Sequence, residues 1–180
     1  FLDQMEHRKV RNWRKNQGEK KSAKEKLDYR KMIERGYCVD CGDLTVGYDE
    51  VERRIIGLEE KYGVELQQVG YDRYNAISTV QKLEAAAIEC VEIKQHSSVL
   101  HAPTKLLKEA ILGGRFHYDE NRLLEINFEN ARCTEDTNLN KYVNKKKSTG
   151  KADMVVALIN AIYLMQQDML YGSDFVIQVI

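Results

Sequence analysis

Polar residues crowd the first 35 positions, and from Gly42 onward short apolar runs alternate with stretches whose apolar residues recur at helical spacing. Lys24 to Arg35 reads as a short helix stopped by Gly36. Leu44, Val46 and Tyr48 alternate as a strand does. Val51, Ile55, Leu58 and Tyr62 then fall on one helix face, and Gly63 ends that helix. Val64 to Gly70 reads as a buried strand and Arg73 to Ala87 as a helix. Val91 and Ile93 share one face of a third strand, with Glu92 and Lys94 on the other. Pro103 suits the first turn of a helix that runs to Leu112 and closes at Gly113-Gly114. Asn121 to Ala131 reads as partly helical, and Cys133 to Asn144 as holding another strand. Asp153 to Met169 is the clearest helix, apolar nearly all round and therefore buried.

This alternation predicts one α/β domain over residues 1–180 with a largely parallel central sheet. Residues 1–35 precede it as a basic, partly helical segment. At 43% hydrophobic residues the chain can bury a core. Its longest apolar run, Met154 to Met165, is too short for a bilayer, so no membrane partner is expected.

The net charge is zero, yet the charges are segregated. Residues 1–35 carry twelve Lys/Arg against six Asp/Glu, and residues 141–151 carry five lysines and no acid. Basic ends around an acidic middle suit a polyanion, because lysines gain by displacing counterions from phosphates. On charge alone, an ordinary solvated face is the simpler reading. The four cysteines, Cys38, Cys41, Cys90 and Cys133, include one Cys-x-x-Cys pair, which lacks the four ligands of a closed zinc site. Reduced thiols are expected.

Two aspartates stand where chemistry is expected. Asp72 follows the predicted strand Val64 to Gly70, and sites in open α/β sheets form at the carboxyl ends of strands. Asp153 opens the long buried helix. Each could equally be a helix N-cap. Asp136 and Asp43 are weaker candidates, better read as turn residues. His96 and His101 read as loop or capping histidines, and Tyr71 and Tyr74 are expected in the core. Lys145, Lys146 and Lys147 lie just before Asp153, where they could grip phosphates. Ser148-Thr149-Gly150-Lys151 is no phosphate loop, since Ala152 stands where Ser or Thr is required and position 145 is not glycine.

The strings GYDRYNA (70–76), VEIKQHSSVLHAPTKLLKEAI (91–111) and LLEINFENARCTEDTNLNKYVNKKKSTGKADMVVALINAIYL (123–164) together resemble the C-terminal nuclease domain of tailed-phage terminase large subunits. The resemblance runs from about Leu27 to the end of the chain. It implies an RNase H-like mixed sheet flanked by helices, and a divalent-metal-dependent endonuclease that cuts concatemeric double-stranded DNA. Asp72 and Asp153 then map to catalytic, metal-binding positions. Two ions, Mg²⁺ or Mn²⁺, are implied, with Arg73, Lys145, Lys146, Lys147 and Lys151 as DNA contacts. The resemblance also implies a terminase small subunit and a portal protein as partners, and the cytoplasm of a bacterial host as location. A third family acid lies on the first strand, in a motif like Asp-Leu-Ser. Asp43-Leu44-Thr45 is similar in letters but stands too late, after the lysine-rich block. The first strand is therefore expected upstream of Phe1 or lost, as is the family's ATPase domain, and this polypeptide alone is expected to cut weakly or not at all. A non-catalytic DNA-binding α/β module and a degenerate prophage remnant are the competing readings.

Overall fold

A computed structural model describes residues 20–41, 46–74, 76–168 and 177–179. The chain divides into two compact units, Phe1–Val51 and Glu52–Ile180. In the first, residues 20–25 are helical and α1 follows at Tyr29–Glu34. The single helix expected over Lys24 to Arg35 is thus two. Lys26 turns the chain at φ 53°, and Asp28 caps α1 by accepting the Lys31 N–H at 3.3 Å. The stop at Gly36 (φ 76°) is as expected. Helix α2 (Tyr48–Ile56) starts at the position read as the end of a strand. Leu44 and Asp43 lie outside the described residues, as do residues 1–19 of the basic segment.

In the second unit, α3 (Leu58–Tyr62) ends at Gly63, whose φ of 65° is the left-handed cap expected there, and Gly57 separates it from α2. A βαβ unit follows: β1 (Val69–Tyr71), α4 (Ile77–Ala85) and β2 (Cys90–Glu92). The strands are parallel, with Gly70 opposite Val91. Gly70 permits close packing, because a Cβ there would meet Ile93 Cδ1 at 2.5 Å and Leu164 Cδ1 at 3.1 Å. Then come α5 (Ser97–Leu112), β3 (Phe116–Tyr118), α6 (Arg122–Asn130), β4 (Cys133–Glu135), β5 (Lys141–Val143), α7 (Asp153–Asp168) and β6 (Ile177–Val179).

The expected largely parallel central sheet is not what the described residues form. They form three separate two-stranded pairs: β1–β2 and β3–β6 are parallel, and β4–β5 is antiparallel. Every strand is three residues long, so each pair is a short clamp between helices and not a layer of its own. Helix α5 begins six residues before Pro103. Its N-cap is His96, which accepts the Ser98 N–H at 3.3 Å, so the proline sits inside the helix.

The core forms where α5 packs on α7. Leu100, Leu107 and Ala110 meet Val155, Ile159 and Ile162, joined by Ile93, just past β2, and by Val143 of β5. With Thr104 between them, the buried α5 positions Leu100, Thr104, Leu107 and Ala110 recur every three to four residues, the spacing that keeps one face inward. Burying a side chain such as Ile159, 1% exposed, stabilises the fold by about 1.5–3 kcal/mol. Helix α7 also contacts β1 and α6, which makes it the hub of the unit. Glu52 is the one buried acid among the described residues (5% exposed), held by Lys82 Nζ at 2.8 Å and Thr79 Oγ1 at 3.0 Å. All four cysteines are free thiols. No described helix is long and apolar enough to cross a membrane.

Candidate active site

Two asparagines of α6 build the site. Asn127, 4% exposed, donates to the Leu123 carbonyl at 2.8 Å and accepts the Met154 N–H at 3.1 Å. That second bond fixes the first turn of α7. Asn130 holds the preceding loop: its carbonyl accepts the Thr149 N–H at 3.0 Å, and its Nδ2 donates to the Lys151 carbonyl at 3.1 Å. Asn144 shapes the loop from its other end, its Oδ1 accepting the Lys146 N–H and its carbonyl the Lys147 and Ser148 N–H groups. Lys145, Lys146, Lys147 and Lys151 are consequently exposed on a tethered turn.

Asp153 is the first residue of α7 and not its cap. The preceding residue, Ala152, is buried and has no capping side chain, and the Met154 amide is taken by Asn127. The Asp153 carboxylate, 58% exposed, pairs with Lys145 Nζ at 2.8 Å. Asp72 leaves the end of β1 exposed. It does not cap α4, which starts five residues later behind Ala76. Its Oδ1 accepts only a long 3.4 Å bond from the Tyr74 N–H among the bonds described. Arg73 is exposed beside it.

The two aspartates come from elements that pack together, since β1 lies against α7. Gln95, just past β2, donates to Asn160 Oδ1 at 3.2 Å and so ties the carboxyl end of β2 to the middle of α7. Asn160 lies about 10 Å along the helix axis from Asp153. Because β1 runs parallel to β2, Asp72 emerges from that same end. Along β1 and α7 runs a groove of about 470 Å³, bordered by Gln68 and Gly70 on one side and Ala157, Ala161 and Leu164 on the other. Among the described residues β1 has one strand partner, β2.

Asp136 is the organiser of the β4–β5 turn. It accepts the Ser97 hydroxyl at 2.5 Å, the Asn138 and Asn140 N–H groups at 2.8 and 3.0 Å, and Asn140 Nδ2 at 3.0 Å. These donors, Ser97 first, hold its carboxyl well below the usual carboxylate range. His96 caps α5 as expected, whereas His101 lies inside that helix, neither loop nor cap, and its Nδ1 accepts the Lys141 N–H of β5 at 2.8 Å. Tyr74 corrects the expectation of a core residue: it is 82% exposed, two positions from Asp72. Asn127 and Asn130 were not singled out from sequence. The available signal was an asparagine in register with Leu123 and Leu124 on the buried face of α6.

Carboxylate oxygens are the ligands a hard divalent ion prefers, so Asp72 and Asp153 suit Mg²⁺ or Mn²⁺ by donor type. By number they fall short: the described residues contain no group of three or more His, Cys, Asp or Glu side chains able to hold a metal ion.

Small strand pairs flanked by helices define a mixed α/β domain, with exposed carboxylates at the ends of β1 and α7. The family model described as "Terminase large subunit, endonuclease domain" matches residues 11–168. The chain belongs to the family of terminase large-subunit endonuclease domains. Its fold is similar to that in the crystal structure of the HK97 bacteriophage large terminase, with a TM-score of 0.71 and 21% identity over 81% of this chain. It spans 30% of that longer chain. No curated protein matches.

Proposed function

We propose that this chain is the divalent-metal-dependent nuclease part of a phage or prophage DNA-packaging terminase, cutting concatemeric double-stranded DNA in the cytoplasm of a bacterial host. The observation that carries the reading is that two exposed carboxylates, Asp72 and Asp153, stand at the ends of elements that pack together, β1 and α7. Asn127 takes the first-turn amide of α7, and Asp153 stands exposed at the end of a core-locked helix. Asp72 and Asp153 are the catalytic, metal-holding acids of an RNase H-like arrangement. A third carboxylate comes from a further strand, and the groove along β1 and α7 is a fitting place for it. Bound ions would lower the pKa of an attacking water and neutralise the scissile phosphate. The chain's own residues do the rest. The two carboxylates orient from rigid elements, while Arg73, Lys145, Lys146, Lys147 and Lys151 hold the phosphate backbone. Lys145 shields Asp153 until a cation takes its place. Double-stranded DNA, a small subunit and a portal protein are the partners of the whole protein.

The test is plasmid nicking by the intact terminase with Mg²⁺ or Mn²⁺. Asp72→Asn and Asp153→Asn should each abolish cleavage and leave the fold and DNA binding in place. Undiminished cleavage in either variant rejects the assignment. Salt-sensitive DNA binding without cleavage in the unaltered protein would favour a non-catalytic DNA clamp.

A further inference from the structure

A second concavity, of about 390 Å³, lies between α5, α6, α7 and the β4–β5 pair. Leu107, Phe128, Val143, Val155 and Ile159 make its walls apolar. That volume falls in the range of sites that take a small ligand or one large side chain. Thr104, on the same wall and 9% exposed, has a hydroxyl without a hydrogen-bond partner. Three charged residues border the cavity, Lys105, Lys108 and Lys141, and none of its lining residues is acidic. Lys105 and Lys141 meet Glu109 and Glu135 only at the surface, with the lysines about two-thirds exposed. At one end Ile111 and Leu112 carry the apolar surface outward, 43% and 76% exposed.

An apolar cavity that continues into exposed apolar residues under a cationic rim has the form of a protein interaction site. Duplex DNA would satisfy the lysines but leave the walls in water. A small molecule would fill the cavity but leave Ile111 and Leu112 uncovered. An acidic polypeptide segment with a large apolar anchor does both, the anchor supplying affinity and the charges orientation. We propose that this cavity docks such a segment of a partner protein, its anchor seated among Leu107, Phe128 and Ile159 and its carboxylates facing Lys105, Lys108 and Lys141.

The test uses methyl NMR of the full 180-residue chain. The probe is the blocked peptide Asp-Glu-Phe-Leu-Asp-Glu, and the control has lysine at all four acidic positions. The acidic peptide should shift the Leu107, Val143 and Ile159 methyls saturably, and the control should not. The double variant Lys105→Glu/Lys108→Glu, altered only at exposed positions, should bind the acidic peptide at least tenfold more weakly and prefer the lysine peptide. Equal binding of both peptides, shifts on another face, or no saturable shift at millimolar peptide would overturn the proposal. So would saturation by toluene alone, which marks a small-molecule cavity, or displacement of the peptide by a short DNA duplex that itself shifts the same methyls.

Discussion

Asn127→Ala separates holding the N-terminus of α7 from doing chemistry there. The substitution removes the acceptor of the Met154 N–H, a bond of 3.1 Å. Losing a helix-capping acceptor costs about 0.5–2 kcal/mol. The upper half of that range applies, because Ala152 and Val155 are buried around the amide and limit replacement by water. The bond to the Leu123 carbonyl adds little, since that oxygen also lies within reach of α6's own backbone. The void left by the missing amide adds a further fraction. About 2 kcal/mol is expected, roughly a thirtyfold drop in the folding constant. Asp153→Ala removes an ion pair whose partners are both more than half exposed, plus a first-turn acid. Its expected cost is below about 1 kcal/mol. Urea unfolding at pH 7 with equal m values measures both. Amide exchange at Met154 should accelerate in Asn127→Ala and much less in Asp153→Ala. If Asp153→Ala proves the more destabilising, the aspartate is the structural anchor and the separation drawn here is wrong.

Three further outcomes are expected. Replacing Lys145, Lys146 and Lys147 together by Ala should flatten the log–log salt dependence of DNA binding by about 2, near 0.9 for each exposed lysine and less for Lys145, which already has an anion; an unchanged slope removes the loop from the interface. Asp136 has a folded-state pKa below its unfolded value of about 3.9, so its contribution is complete above that pH and drains away as pH falls toward the folded pKa. Melting temperatures of Asp136→Asn should therefore lie below wild type at pH 7 and converge with it in acid, and parallel curves would contradict this. Gly70→Ala should cost about 1–3 kcal/mol by overpacking Ile93 and Leu164, read by thermal unfolding; a neutral result would mean that both side chains give way freely.

Helix α7 was legible because its apolar residues run almost all round, a pattern only a buried helix produces; it starts at Asp153 as expected and its described residues run to Asp168. The end of α3 was legible because Gly63 takes a conformation other residues avoid. The start of α5 was obscured by Pro103, which ordinarily marks a first turn. Here Ser97 and Ser98 follow a histidine cap, and the packing of Leu100 and Leu107 on α7 outweighs one missing helix bond. Strands β3 and β6 gave no signal: three residues are too few for a period, and their partner is remote. At the site, Asp72 and Asp153 could be proposed from their places beside a strand and a helix. The bond by which Asn127 takes the Met154 amide could not be foreseen, because it joins two elements remote in sequence. Tyr74 was misplaced because a large aromatic is usually buried, and only the path of the chain after β1 puts it in solvent.

The parallel pairing of Phe116–Tyr118 with Ile177–Val179 has a consequence for biogenesis. A ribosome releases the first of these segments about sixty residues before the second, a delay of several seconds at ordinary elongation rates. Throughout that interval the earlier segment has donors and acceptors with no native complement. A nascent chain interrupted before Ile177 would keep that template open to other chains, so the presence of Ile177–Val179 bears on solubility as well as on architecture.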